Sequence, residues 1–305
     1  MSGAPARSLR AAAPRGTLRL WLLAARPRTL SAAVAPVLVG TALAGSEEVF
    51  RALPFAAALV GSVFIQIGTN LSNDYSDARR GADTEDRLGP VRVTAGGLMP
   101  PRRVLVGTYV AFGVAVAAGL YLAAVAGWEL LVVGAAAILA GVLYTGGPRP
   151  YGYEGLGEVF VFLFFGIVAV AGSYFVQTED LRWEAFALAV PVGLLAAAIL
   201  VVNNVRDIDT DRRAGKRTLA VRLGRRRARR LFTAMVLGAF VAPPLLVWAL
   251  SPWLLLALAT LPLAPPLVRT VSTRTDGPAL NGALAGAGRL LAAFSVLLAG
   301  GVLLS

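Results

Sequence analysis

The sequence predicts an all-α polytopic membrane protein that crosses the bilayer about nine times. Of its 305 residues, 57% are hydrophobic and only 15% are charged, whereas about a quarter of the residues in soluble domains carry a charge. Several stretches also lack any charge over roughly the 20 residues that a spanning helix needs. These stretches are 53–73, 159–178, 185–205 and 231–268, and the last is long enough for two passes.

The remaining spans are defined by turn and breaker residues. The stretch 104–148 carries one charge, Glu129, beside a Gly-Trp pair, which indicates a tight turn between two helices. Three prolines within 262–266 break or kink the end of the eighth span. The nine predicted spans are 29–46, 54–72, 104–126, 129–146, 157–176, 184–204, 230–250, 252–270 and 284–304.

Lys and Arg are distributed unevenly between the loops. Six precede the first span, six lie between the second and third spans and eleven between the sixth and seventh, whereas the opposite loops hold only Arg51 and Arg182. Because cytoplasmic loops are enriched in Lys and Arg, we expect the N-terminus to face the cytoplasm and the C-terminus to face out. Residues 1–25 are then a cytoplasmic Arg- and Ala-rich arm, and residues 26–305 are one transmembrane domain.

The composition excludes several classes of function. The chain has no cysteine and no histidine, which rules out disulfides, thiolate metal sites and acid–base catalysis by histidine. The net charge of +12 is better explained by topology and by contacts with anionic lipids than by nucleic-acid binding. The Arg-rich run at 225–230, just before the seventh span, fits that explanation.

An acidic run closes the second predicted span. It reads NLSNDYSD over residues 70–77. With about 3.6 residues per turn, Asn70, then Asn73 or Asp74, and then Asp77 fall on one face of a helix. We therefore expect this helix end to present amide and carboxylate oxygens together.

A second acidic run closes the sixth predicted span. It reads NNVRDIDTD over residues 203–211, and Asn203, Asp207 and Asp211 recur at steps of four along one helix face. By the distribution of Lys and Arg, both runs lie on the cytoplasmic side. The alternative is that both are ordinary solvated helix ends, with Asp209 and Asp211 balancing nearby arginines.

Together the two runs predict a magnesium site for a diphosphate at the membrane surface. Carboxylates at the edge of a bilayer are costly and are usually functional. Clustered carboxylate and amide oxygens suit Mg²⁺, which in turn suits a diphosphate. The four aspartates among the predicted ligands are also the candidate catalytic residues. The predicted ligands are Asn70, Asn73, Asp74, Asp77, Asn203, Asp207 and Asp211.

Other polar residues near the runs have two interpretations each. Arg79, Arg206 and Lys216 are candidates to bind diphosphate oxygens, or they are topology charges. Asp83 either extends the first metal motif or is solvated in a loop. Arg289, near the start of the last span, either pairs with a site carboxylate or extends to the membrane surface.

The loop between the fourth and fifth spans is a candidate contact for an acidic aromatic substrate. Residues 144–158 place a single Arg149 among turn formers and aromatic residues, including Tyr151. Either this is a short turn, or it is a lid over the site; an arginine fixed in such a turn favours the lid. Gln66 shares a helix face with Asn70 and contacts either the substrate or a neighbouring helix.

These motifs resemble those of the UbiA superfamily of intramembrane aromatic prenyltransferases, from about Arg26 to Arg289. Within that superfamily they are most similar to the 1,4-dihydroxy-2-naphthoate polyprenyltransferases of menaquinone synthesis. Asp83 stands two residues away from the superfamily's commonest position, as suits the naphthoate subgroup. The segments that carry the resemblance are 26–30, 66–75, 149–158, 202–211 and 215–219.

The resemblance implies nine helices around a central cavity that is capped on the cytoplasmic side and open laterally to lipid. It implies Mg²⁺ bound to a polyprenyl diphosphate, whose prenyl group passes to 1,4-dihydroxy-2-naphthoate with loss of CO₂ and diphosphate to give demethylmenaquinone. The location implied is a bacterial cell membrane, with the active site on the cytoplasmic side.

Three other functions compete with this one. A related enzyme would prenylate 4-hydroxybenzoate. A CDP-alcohol phosphotransferase would need an Asp-Gly pair, which neither acidic run contains. An ion or lipid transporter would have broken helices and internal repeats near the midplane of the membrane. Here the carboxylates lie at helix ends on one side, which favours an enzyme.

Overall fold

The protein is described by a computed structural model that covers residues 16–82 and 88–305. Within these ranges all regular secondary structure is helical, which confirms the predicted class. The helices are α1 (Thr17–Ala25), α2 (Ser31–Ser46), α3 (Ala52–Arg79), α4 (Pro101–Ala126), α5 (Glu129–Leu143), α6 (Gly157–Thr178), α7 (Trp183–Arg213), α8 (Leu219–Leu223), α9 (Arg225–Leu246), α10 (Pro252–Thr273) and α11 (Gly277–Leu303).

Nine of the helices in the described ranges, α2 to α7 and α9 to α11, correspond to the predicted spans. Seven of them are long and apolar enough to cross a membrane singly. Of the other two, α2 follows α1 across a bend of 53°, and α5 has only 15 residues. The described ranges thus contain seven or eight helices able to span a membrane, so the predicted nine is approximate, because α5 is shorter than the roughly 20 residues that a span needs.

Two helices change type along their length. In α10, residues Pro252–Leu263 form a 3-10 helix and Ala264–Thr273 an α-helix, so the prolines mark a change of winding within the span. In α6, residues Phe162–Val168 form a wider π-helical stretch. There α6 comes very close to α7, because a Cβ added to Gly166 would lie 2.7 Å from the Cα of Gly193.

The helices α3 and α7 are longer than a membrane is thick. They have 28 and 31 residues, which corresponds to about 42 and 46 Å, whereas the hydrocarbon core is about 30 Å across. Both continue as unbroken helices past the ends predicted for them, through the acidic runs. We call the end of the bundle at which α3 and α7 finish the acidic end.

Helix α7 is the centre of the bundle. In its apolar 18-residue stretch, 72% is buried inside the protein. The helix packs against α6, α9 and α11. Leu188, Leu195 and Val202 lie in this core and are almost completely shielded. On the other side of the molecule, α3 packs against α4 and α5. The cavity described below lies between these two groups of helices.

We predict that the contact between α2 and α6 does not tolerate a methyl group at Gly40. A Cβ there would overlap the carbonyl oxygen of Val170 and lie 2.9 Å from the Cβ of Ser173. Gly40→Ala should therefore destabilise the fold by about 1–3 kcal/mol, seen as a lower melting temperature in detergent.

Gly113→Ala is the matched control, because a Cβ at Gly113 of α4 would have no atom within 4 Å. This variant should melt at or slightly above the temperature of the unmodified protein. If Gly40→Ala melted there as well, the close approach of α2 and α6 would be refuted.

Candidate active site

A cavity of about 500 Å³ lies among α2, α3, α4, α5, α6 and α7. Its walls are largely aliphatic and aromatic, except at the acidic end, where polar side chains from both acidic runs meet. Six of the seven predicted metal ligands line this end, and the exception is Asp74. The polar side chains from the two runs and the loop that follows α7 are Asn70, Asn73, Asp77, Asn203, Asn204, Asp207, Asp211 and Lys216.

Asp77, in the last turn of α3, is 2% exposed and is surrounded by three donors. Tyr153 Oη donates to Asp77 Oδ1 at 2.6 Å, and Arg92 Nη2 donates to Asp77 Oδ2 at 3.4 Å. Lys216 Nζ lies 3.5 Å from Asp77 Oδ1. A buried carboxylate needs such partners, because its removal from water is otherwise too costly.

Lys216 connects the two acidic runs. It follows α7 through a turn at Gly215, whose φ of 74° favours glycine. The Lys216 backbone N–H donates to the Asp211 carbonyl oxygen at 2.8 Å, while its ammonium faces Asp77 of the first run. The ammonium also lies 4.8 Å from the centre of the Tyr153 ring. One lysine thus joins α3, α7 and the loop between α5 and α6.

Arg206 supports Asp207 and does not line the cavity. Its Nε and Nη2 donate to the two oxygens of Asp207 at 2.8 and 2.5 Å. The same guanidinium donates to Asn203 Oδ1 at 2.8 Å and to Asn281 Oδ1 of α11 at 2.7 Å. These four bonds fix the guanidinium beside Asp207, outside the cavity lining, and the diphosphate contact for Arg206 stays a prediction.

Gln66 and Asn70 line the cavity and also hold the junction between α1 and α2. Asn70 Nδ2 donates to the Ala25 carbonyl oxygen at 2.9 Å. Gln66 Nε2 lies 3.4 Å from Thr29 Oγ1. Gln66 therefore contacts a neighbouring helical segment, which was one of its two predicted interpretations. Both side chains therefore tie the start of the chain to α3 at the rim of the site.

Two further amides are held by partners at the acidic end. Thr145 Oγ1 donates to Asn73 Oδ1 at 2.9 Å. Asn204 Nδ2 donates to Glu158 Oε1 at 2.8 Å, and Glu158 is only 3% exposed. Because its NH₂ group is used in this way, the Asn204 side chain sits in one fixed orientation at the cavity wall. Sequence reasoning did not single out Asn204.

Asp74 occupies a different place from the one predicted. It is 2% exposed, and its carboxylate accepts hydrogen bonds from the backbone N–H groups of Val93 at 3.1 Å and Thr94 at 2.9 Å. On a helix, Asp74 stands next to Asn73 but on another face, and that face meets the segment before α4. Asp74 therefore holds the segment that carries Arg92 rather than facing the cavity.

Three other predicted residues lie away from the cavity. Arg79 is exposed and donates to Tyr75 Oη at 3.2 Å on the outer side of α3. Arg149 is exposed at the tip of its loop, and Arg289 is exposed on α11. Neither Arg149 nor Arg289 lines the cavity. Asp83 lies outside the described residues.

Tyrosines of the loop between α5 and α6 form the aromatic part of the wall. Tyr151 stacks on Phe160 with 4.0 Å between ring centres, and Tyr144 meets Tyr151 edge to face at 5.5 Å. Burial, and next the charge of Glu158, raises the pKa of Tyr144 well above its usual value, and burial raises the pKa of Tyr151. Both phenols therefore keep their protons at neutral pH.

The side chains at the acidic end fit a magnesium ion that is held partly by its substrate. Within 16–82 and 88–305, no three carboxylates lie close enough together to enclose an ion by themselves. Mg²⁺ in phosphate sites usually takes one or two carboxylates together with phosphate oxygens. Asp77, Asp207 and Asp211 line one cavity together with the neighbouring amides, and their oxygens are ligands of this kind.

Known proteins share both this sequence and this fold. The UbiA prenyltransferase family matches residues 33–284. A 1,4-dihydroxy-2-naphthoate octaprenyltransferase of Mycobacterium leprae is 42% identical over 288 residues, covering 93% of this chain and 96% of the relative. The enzyme of the same name from Escherichia coli is 39% identical over 271 residues, covering 86% of this chain and 87% of the relative.

A solved structure of a UbiA homolog from Archaeoglobus fulgidus, bound to DMAPP and Mg²⁺, has the same fold. Its TM-score is 0.63 at 13% identity, covering 91% of this chain and 98% of that one. The family match extends over most of the chain and includes both acidic runs. This protein belongs to the UbiA prenyltransferase family.

Proposed function

We propose that this protein transfers a polyprenyl group from a polyprenyl diphosphate to 1,4-dihydroxy-2-naphthoate, with release of diphosphate and CO₂. The observation that carries the proposal is that one cavity joins both acidic runs at its acidic end to a largely apolar interior. The names of relatives up to 42% identical support the same acceptor. The product is demethylmenaquinone in its reduced, quinol form.

The acidic end would hold the diphosphate. Asp77, Asp207 and Asp211 are the carboxylates available to Mg²⁺, and Lys216 and Arg92 are the cations beside them. Mg²⁺, when bound there, neutralises the diphosphate and makes it a better leaving group. The A. fulgidus homolog was solved with Mg²⁺ and DMAPP, which supports a metal-dependent site. Arg206 keeps Asp207 in position for this task.

The aromatic wall suits the carbocation that forms when the C1–O bond of the donor breaks. Tyr151 and Phe160 stack on each other, and Phe164 continues the row at 6.1 Å from Phe160. Aromatic faces stabilise a cation and exclude water that would capture it. The electron-rich naphthoate ring then attacks C1, a C–C bond forms at the carbon that bears the carboxylate, and CO₂ leaves while its bonding electrons restore the aromatic ring.

The acceptor would lie between the tyrosine loop and the carboxylates. Tyr144 and Tyr151 remain protonated and so donate hydrogen bonds to an acidic acceptor. A site carboxylate can accept the proton of a ring hydroxyl, which replaces the histidine that the chain lacks. Arg149 at the loop tip is exposed, so contact with the acceptor would require the loop to close over the site.

The proposed location is the plasma membrane of a bacterium, with the acidic end in the cytoplasm. Most Lys and Arg residues lie in the loops at that end and in the segment before α2, as the positive-inside rule requires. The C-terminus would then face outward. The prenyl chain remains in the apolar part of the bundle and in lipid.

The direct test is an assay of the purified protein with Mg²⁺, octaprenyl diphosphate and a panel of aromatic acids. We expect naphthoate to be prenylated with release of CO₂, EDTA to stop the reaction and Mg²⁺ to restore it. Asp77→Asn and Asp207→Asn should each lower turnover at least about a hundredfold, because each removes a charged ligand at the diphosphate.

Asp209→Asn is the control within the same run. Asp209 is exposed, pairs with Arg225 at 2.6 Å and does not line the cavity, so this variant should remain active. Prenylation of 4-hydroxybenzoate alone would refute the acceptor. Full activity in EDTA, or in Asp77→Asn, would refute the metal site.

A second prediction concerns the length of the donor. Gly119 of α4 lines the cavity about 27 Å along the helix from Pro101 at the acidic end, and a Cβ there would have no atom within 4 Å. A leucine at 119 would fill that space. Gly119→Leu should lower turnover of the octaprenyl donor about tenfold or more and leave the short geranyl donor unaffected.

Gly113→Leu on the same helix is the matched control. Gly113 is equally open but exposed, and it does not line the cavity, so both donors should react normally. If Gly119→Leu turned over the octaprenyl donor as fast as the unmodified protein, the prediction that a long prenyl chain passes Gly119 would be wrong.

A further inference from the structure

A second concave surface lies on the outside of the bundle, apart from the cavity. It is a groove of about 520 Å³ among α1, α3 and α4, and its walls are almost entirely apolar. On α4 the lining residues recur every three or four positions and so form one stripe along the helix. The lining residues are Trp21, Phe64, Ile67, Leu71, Arg102, Arg103, Val106, Gly107, Val110 and Ala111.

Two consecutive arginines stand at one end of this groove. Arg102 and Arg103 lie in the first turn of α4 at the acidic end, and both are exposed. Neither forms an ion pair with any residue in 16–82 or 88–305. An apolar groove with two guanidinium groups at its end is chemically complementary to a lipid that has an anionic headgroup.

Helix α1 indicates that this end of the groove lies at the depth of lipid headgroups. Leu18 and Leu22 on α1 are 72% and 50% exposed, which is typical of a helix lying in the interface. The Trp21 ring packs directly on Gly107, where a Cβ would come within 2.5 Å of it. Tryptophan is enriched at the same depth. The arginines are therefore within reach of a phosphate.

The groove and the cavity share no lining residue, because they lie on different faces of α3. Phe64, Ile67 and Leu71 of α3 face the groove, whereas Asn70 and Asp77 line the cavity on another face of the same helix. A prenyl diphosphate in the groove would have to leave it to react. The position therefore favours a resident membrane lipid over a substrate.

We propose that this groove binds one anionic phospholipid, with its phosphate on Arg102 and Arg103 and an acyl chain along α4. The lipid completes the contact between α1 and the bundle, since it fills the space beside Trp21. Selectivity for an anionic lipid comes from the two guanidinium groups, and the apolar walls accept any acyl chain.

The test is native mass spectrometry of the full-length protein released from nanodiscs of phosphatidylcholine and phosphatidylglycerol at four to one. We expect one retained phosphatidylglycerol per chain. The double variant Arg102→Gln with Arg103→Gln should reduce its retention roughly tenfold or more, because each arginine near the surface contributes to anionic-lipid attraction. Val110→Trp, which fills the groove and leaves the arginines in place, should reduce it as well.

Arg226→Gln with Arg227→Gln is the matched control. These are also consecutive exposed arginines in the first turn of a helix, α9, but they do not line the groove. Equal losses in the two double variants would mean only general attraction of anionic lipid and would overturn the proposal. Unchanged retention in Val110→Trp, or retention of phosphatidylcholine as strongly as phosphatidylglycerol, would overturn it too.

Discussion

The candidate active site depends on the contact between Lys216 and Asp77, because this pair brings together two helix ends that are far apart in sequence. The ammonium lies 3.5 Å from the carboxylate, while the backbone of Lys216 is bonded to Asp211 at the end of α7. Asp77 is almost fully buried, so its charge requires partners in place before any substrate arrives. In the proposed function, the same partners are then available to a diphosphate.

The length of α3 and α7 makes this contact possible. If either helix ended at the depth of the hydrocarbon, its carboxylates would lie in a medium that disfavours their charge. Both instead extend beyond that depth, and the apolar chamber stays below the acidic end. In the proposed function, this division places charged chemistry at one end and the prenyl chain at the other end of the same cavity.

The spans and the acidic runs were predictable because hydropathy and helix period depend on local sequence. Each of the nine predicted spans coincides with a helix, although α5 is shorter than a span requires, and six of the seven predicted ligands line the cavity. The partners of each residue were not predictable, because they come from distant segments. Asp74 is held by backbone groups nineteen and twenty residues later, and Arg206 is held by Asn281 on α11.

Other residues of the site were not predictable for the same reason, because their partners come from distant segments. Arg92 has the appearance of a topology charge, and only the fold shows that it meets Asp77. Tyr144 and Tyr153 belong to a loop that the sequence marked by its arginine, yet it is the tyrosines that reach the cavity and Arg149 that stays exposed. The composition of a turn can indicate that a loop contributes to a site, but it does not indicate which side chain points into the cavity.

The central claim is that the ends of α3 and α7 form one site, and a double-mutant cycle tests it most directly. Binding of an unreactive polyprenyl diphosphate analogue would be measured with Mg²⁺ for Asp77→Asn, Asp211→Asn and the double variant. One shared site predicts that the second substitution costs much less after the first, with a coupling of about 1 kcal/mol or more. Losses that simply add would contradict a shared site.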